Sequence, residues 1–184
     1  MLKIIAVYLV LLASILFPLT SFTQEPVSEN SQTLKRTVVI EAVPFVKQKD
    51  EFCGPAAISA VMEFYGEKIS QEEIAEQVYI PELNGALISD MENFAKNKGY
   101  KVESKNGDLE SIKSLINENI PVILLVDRGK WKVSVPHYYV IYGYDENTNV
   151  FIHHKGFNSA QEINFSKLDK EWKKMNRLML VVRK

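Results

Sequence analysis

The sequence predicts an α+β domain in which helices pack on an antiparallel sheet, and two observations carry that prediction. Between Ala56 and Ile116 apolar residues recur at helical spacing; after Pro121 they gather in short runs rich in branched and aromatic side chains. Helices first and strands afterwards sort into a sheet with helices laid against it, not into an alternating parallel sheet. A hydrophobic share of 46% with only 8 Gly and 7 Pro is the composition of a folded chain, and the length suits one domain.

The first element is not part of that domain. Met1-Leu2-Lys3 is a short basic start, followed by the apolar run IIAVYLVLLASILFPL and then by polar TSFTQEP. Residues 1–23 therefore read as a secretory signal peptide, with Ser21 and Thr23 as the small residues before a cleavage site at Gln24. The run falls short of the ~20 residues of a comfortable membrane span, so a membrane tether is the alternative if the segment stays uncleaved. Either way an extracytoplasmic, periplasmic or secreted, location is expected. Residues 24–36 are polar and non-periodic and read as a flexible tether, leaving 37–184 as the folded domain.

Within the domain, TVVIEAVPFVKQ from Thr37 reads as an extended lead-in. AAISAVMEFYG has helical spacing and stops at Gly66, a C-terminal cap. Ser70-Gln71-Glu72-Glu73 is a capping box that starts EEIAEQVY. Gly85 precedes ALISDMENFAKNKG, whose Leu87, Met91, Phe94 and Ala95 share one face and which ends at Gly99. Asp108 caps a short helix through Ile112, Leu115 and Ile116. VILLVD, HYYVIYGYD and NVFIHH read as strands, the last two joined by turn residues 145–149, and Asp145 is assigned to that turn. An amphipathic piece around Leu168 and Trp172 and a fourth strand, LMLVV, close the chain.

Charge excludes one class of partner. Twenty-two Lys plus Arg against 23 Asp plus Glu, with no long single-sign run, leave no footprint for nucleic acid. The lone cysteine is more informative. Exported proteins usually pair their cysteines, and this chain has a single one, Cys53, so the thiol is either a small buried hydrophobe or a reactive group.

Cys53-Gly54-Pro55 is a credible helix start, since Pro in the first turn sacrifices no hydrogen bond. The unpaired N–H groups there favour negative charge and lower the pKa of a nearby thiol, and Gly54 is read as leaving room for a substrate. An acyl-transfer nucleophile also needs an oxyanion donor and a base. Gln48, five residues upstream, offers a side-chain amide as donor. The chain has three histidines, and His137 opens a strand directly after Pro136, where it can face a cleft. His153 and His154 end the next strand, and because strand side chains alternate, only one of them shares the face of His137. Trp131 lies in the loop before His137, where it could border a cleft, and its basic neighbours Arg128, Lys130 and Lys132 could meet an acidic substrate group.

QKDEFCGPAA, then PHYYVIYGYD, then a strand ending before Gly156 resembles the bacteriocin-processing, double-glycine leader peptidases and their peptidase-like relatives, within the papain-like cysteine peptidase group. The resemblance spans about residues 40 to 160 and implies a papain-like fold, a Cys53 nucleophile, a His137 base and a Gln48 oxyanion donor. Similar sequences place Asp or Asn before the Pro or Gly that follows the next strand, to orient the imidazole. Counting back from Gly156 puts His154 there, a neutral group that orients without supplying charge; Asn158 is the other candidate for the role. The expected function is thus an exported cysteine peptidase, or a related thiol-dependent amidase or transpeptidase, acting through an acyl-thioester on Cys53, with a weakened papain-like module that binds a peptide as the alternative. A peptide or protein substrate, no cofactor, no metal and a monomer are expected.

Overall fold

The computed structural model describes residues 36–184. The expectations for the signal peptide and for tether residues 24–35 lie outside the described residues. Arg36, the last tether residue, belongs to the fold: its Nε donates to Tyr144 Oη at 3.0 Å and its carbonyl accepts from Glu146 N–H.

In chain order the elements are β1 (Thr37–Val39), α1 (Cys53–Phe64), α2 (Gln71–Val78), β2 (Tyr79–Ile80), a 3-10 turn (Pro81–Leu83), β3 (Gly85–Ala86) and α3 (Ile88–Asn97). There follow β4 (Lys101–Asn106), α4 (Leu109–Asn117), β5 (Val122–Asp127), β6 (Pro136–Asp145), β7 (Val150–Lys155), β8 (Asn158–Asn164), α5 (Phe165–Lys173) and β9 (Leu178–Arg183). The helix signals act as read. Ser70 accepts from Glu73 N–H and Asp108 from Ser111 N–H at the two N-termini. Gly66 and Gly99 adopt φ of +87° and +89° just past α1 and α3, a conformation open to glycine at little cost. Gly66 N–H then donates to Glu63 O and Glu67 N–H to Met62 O, closing the end of α1.

The sheet is antiparallel, in the order β4-β9-β5-β6-β7-β8, and β1 pairs the end of β6 that β5 leaves open. Alternation on β5 and β6 divides the core in two. Ile123, Tyr138 and Val140 face α1, α2 and α3, packing with Ile58, Val61 and Met91. Val122, Leu124, Val126, Tyr139 and Ile141 face α4 and α5, packing with Ile112, Leu115, Leu168 and Trp172. The sheet is thus buried on both faces, which explains the nearly unbroken apolar texture of VILLVD and YYVIYGY.

The order of helices and strands is less segregated than expected. β4 (KVESKN) and β8 (NSAQEIN) form the two ends of the sheet and are largely polar, so their sequences carry no strand-like apolar pattern. A small hairpin, β2 with β3, follows α2 where a continued helix through Tyr79 was expected. Asp145 is the last residue of β6 where a turn residue was expected, and its side chain holds the turn that follows, Oδ1 accepting from Asn147 N–H at 2.6 Å.

One irregularity decides where the histidines point. β6 and β7 pair as Asp145↔Val150, Tyr144↔Phe151 and Gly143↔Ile152, but then as Ile141↔His153 and Val140↔His154. Tyr142 is the extra residue of a β-bulge. Gly143, beside it, has no room for a side chain: a Cβ would lie 3.1 Å from Val38 O and 3.2 Å from Ile152 Cδ1.

Candidate active site

Cys53 is the first residue of α1, with Pro55 in the first turn, so the thiol sits at the helix N-terminus. The backbone N–H groups of Tyr138, Gly54 and Cys53 itself are near enough to favour its charged form, without a hydrogen bond to the sulfur among the described residues. The thiol therefore lies beside the peptide group that joins His137 to Tyr138. Those N–H groups favour the thiolate, as does Arg128, but burial outweighs them and the pKa is raised. The expected lowering is thus corrected: the helix terminus acts in the right direction, and desolvation is larger.

The thiol opens onto an apolar cleft of about 430 Å³. One wall is the β2–β3 hairpin and the start of α3, with Leu83, Ala86 and Leu87; the other includes Leu125, Pro136 and Tyr138. Tyr138 Oη donates to Ala86 O at 2.9 Å and ties the two walls together. Gly54 has a different role from the one expected. A Cβ there would stand 3.0 Å from Ala86 Cβ and from Met91 Sδ, so the missing side chain lets α1 approach the hairpin and α3 and does not clear a path for substrate.

His137 is buried, and its neighbours Pro136 and Tyr138 take the cleft side of β6. Its imidazole packs edge-on to Tyr139, centroids 5.5 Å apart, and Nε2 is buried without a hydrogen-bond partner. Tyr139 stacks in turn on His153 at 4.5 Å. Burial first, then the positive charges of Arg128, Lys155 and His153, hold the His137 pKa down at about 4. His153, 2% exposed, is lowered to about 4 by burial, assisted by Lys155, His154 and Lys167. Neither of its ring nitrogens has a well-formed hydrogen bond, the Gln161 carbonyl lying near enough only to favour the charged form. No hydrogen bond among the described residues joins Cys53 to a histidine, and no carboxylate bonds to His137 or His153. The His137 imidazole lies with Tyr139 on the α4–α5 face of β6 and the thiol packs on the α1–α3 face, so the structure does not bring the two side chains together.

His154 lies on the opposite face of β7 from His153. Its Nε2–H donates to Val43 O at 3.1 Å, Ala160 N–H reaches its Nδ1 at 3.4 Å, and its ring packs on Tyr142 at 4.5 Å. It borders a small hollow together with Cys53, Ala56, Ala57 and Gly156. With both nitrogens engaged it is a wall residue, and His153 shares the face of His137. The bulge is the reason. An unbroken hairpin pairing would set His154 opposite Ile141, on the His137 face; the extra residue at Tyr142 sets His153 there instead. Asn158 pairs with Lys155 in β8 and has no bond to either histidine.

Gln48 is buried against Gly156, a residue of the same hollow. Its N–H donates to Gly156 O at 3.0 Å, and its side chain occupies the space over Gly156, where a Cβ would fall 1.9 Å from Oε1. Nε2 donates to Lys49 O at 3.4 Å, and Oε1 is buried without a partner. Trp131 stands fully in solvent at the tip of the 128–135 loop, beside Lys170 and Lys174, and does not line the cleft. Asp127 Oδ1 braces that loop, accepting from Gly129 N–H at 2.7 Å and Val135 N–H at 2.8 Å.

A family model described as Peptidase_C39 like family matches residues 40–180. The chain belongs to that family. The C39-like assignment agrees with the solved structures it resembles. The peptidase domain of Streptococcus ComA, a bifunctional ABC transporter of a quorum-sensing pathway, is 24% identical, with a TM-score of 0.63 over 77% of this chain and 98% of that one. A putative C39-like peptidase from Bacillus anthracis is 15% identical, with a TM-score of 0.66 over 81% and 98%. A double glycine motif protease from an AMS/PCAT transporter, solved with a leader peptide, is 15% identical, with a TM-score of 0.63 over 81% and 99%. At these identities the structures speak for the fold: a papain-like cysteine peptidase module of mixed helices and antiparallel sheet. No curated protein sequence matches the chain.

Proposed function

We propose that this C39-like protein is an exported cysteine peptidase that cleaves a peptide bond through an acyl-thioester on Cys53, with His137 as base. The supporting observation is the position of Cys53: at the start of α1, at the mouth of an apolar cleft, beside Tyr138, the residue that follows His137. Cys53 Sγ attacks the substrate carbonyl carbon and passes its proton to His137, whose imidazole must turn from its place against Tyr139, on the α4–α5 face of β6, toward the cleft for this step. The oxyanion that forms meets the N–H groups at the start of α1, with the Gln48 amide as a further donor once its Nε2 leaves Lys49 O. His137 returns the proton to the leaving amine as the C–N bond breaks, and water then hydrolyses the thioester to release the acid and restore the thiol. Residues 1–23 carry the export assignment.

The test is incubation of the purified chain and of Cys53→Ala with a peptide library, reading cleavage and a covalent acyl adduct on residue 53 by mass spectrometry. Cleavage by the wild type, absent from Cys53→Ala, is expected; cleavage that persists without the thiol overturns the assignment. A second reading, a peptide-binding module with weakened chemistry, is favoured by a specific observation: no carboxylate among the described residues bonds to the imidazole of His137 or His153, Glu171 meeting Tyr139 Oη instead, and both imidazoles are neutral at pH 7. Retained peptide binding with no turnover in the wild type would select it.

A further inference from the structure

The cleft beside Cys53 is large and contains no ionisable group besides the thiol and Tyr138. We propose that the peptide recognised here sets a bulky apolar side chain, of the Leu or Phe class, into this cleft beside the scissile bond, in place of a pair of glycines. This rests on the reading of Cys53 as the reacting group. The volume of about 430 Å³ corresponds to roughly fourteen waters at ~30 Å³ each, far more than a glycine pair displaces. Leu125, Pro136, Tyr138, Ala86 and Leu178 present apolar surface to it; Tyr138 Oη already donates to Ala86 O, and the other polar side chains of the lining, Asn84 and Ser89, are uncharged and exposed. Leu83 and Leu87 stand at its rim 57% and 47% exposed, apolar surface that a ligand side chain would cover. Glycines would leave those walls wet, and a charged side chain would lose its hydration with no partner to receive it. An aliphatic or aromatic side chain gains from the whole lining.

Three peptidyl chloromethyl ketones test this on the purified chain: acetyl-Gly-Gly, acetyl-Leu-Gly and acetyl-Gly-Leu, each forming an S–C bond to Cys53 with loss of chloride. Burying one leucine predicts alkylation about tenfold to a hundredfold faster for at least one leucine probe than for the glycine pair. Leu83→Ser/Leu87→Ser should shrink that ratio, which cancels any general change in thiol reactivity. Equal rates for all three probes, or a faster glycine pair, overturn the inference while leaving Cys53 as the reacting group. If no probe reacts, calorimetric titration of Cys53→Ala with the corresponding peptides separates the two claims. Tighter binding of a leucine peptide keeps the specificity and removes the chemistry, and equal or absent binding overturns the specificity as well.

Discussion

His153 and His137 make acid stability the sharpest probe of this architecture. Both imidazoles are held at about 4 from an ordinary 6.5. The unfolded chain therefore takes up protons below pH 6.5 that the native chain refuses until about pH 4, and stability falls across that window as pH drops. With a pKa change of roughly 2.5 units at about 1.4 kcal/mol each, one histidine costs about 2–3 kcal/mol by pH 4.5, and the two together about 5. His153→Phe isolates one share. Both of its nitrogens lack a well-formed hydrogen bond, so a ring of similar shape without them forfeits little at pH 7 and is expected to be neutral or stabilising by about 1 kcal/mol. Urea denaturation at pH 7 and pH 4.5 is the assay. The loss between the two pH values should shrink by about 2–3 kcal/mol in His153→Phe. The same loss in variant and wild type would mean that His153 titrates normally and that the buried row is wrong.

The thiol should behave as a buried one: iodoacetamide should alkylate Cys53 with an apparent pKa above the ~8.5 of a free thiol, and a value below 7 would show that the helix terminus outweighs burial. His153→Asp should raise the His137 pKa by about a unit, read from an NMR titration of its imidazole, whereas His154→Asp should lose the bond to Val43 O and give no such shift. Gly54→Ala should cost about 1–3 kcal/mol in thermal or urea unfolding, because its Cβ meets Ala86 and Met91 at 3.0 Å. Asp127→Ala strips two backbone N–H groups of their acceptor and should open the 128–135 loop to trypsin at Lys130 and Lys132, with a stability loss of about 1–3 kcal/mol.

Much of this fold is legible because its signals are local. Ser70 and Asp108 cap helices with their own side chains, Gly66 and Gly99 end them, and the central strands are apolar because both faces of the sheet are covered. The parts that sequence leaves unread depend on tertiary context. β4 and β8 are strands because a neighbour pairs with them, while their residues stay polar at the sheet ends. The raised pKa of Cys53 follows from packing that no spacing encodes. The choice between His153 and His154 turned on a single inserted residue, since one step of register exchanges every side chain between faces. A cue was present: an isolated glycine inside an aromatic strand, Gly143, is a common mark of a bulge, and it stands next to Tyr142.

The bulge also changes what the substitution at the third position means. His154 in that role would have been a weak orienting group in hydrogen-bond contact with His137. His153 instead belongs to a ring row, separated from His137 by Tyr139, inside a field set by Arg128, Lys155 and Lys167. On balance the field at both imidazoles is positive, although Tyr139 Oη donates to the Glu171 carboxylate at 3.3 Å: the charges that depress both imidazoles would stabilise a carboxylate, and Arg128 favours the thiolate of Cys53. The surroundings thus suit an anion at position 153 better than the imidazole that occupies it. Chemistry at Cys53 must then begin from a neutral thiol and a neutral imidazole, with proton transfer driven by the bound peptide and not by a standing ion pair. Filling the apolar cleft is the step that brings a carbonyl to the thiol, so specificity in the cleft and the rate at Cys53 should rise and fall together.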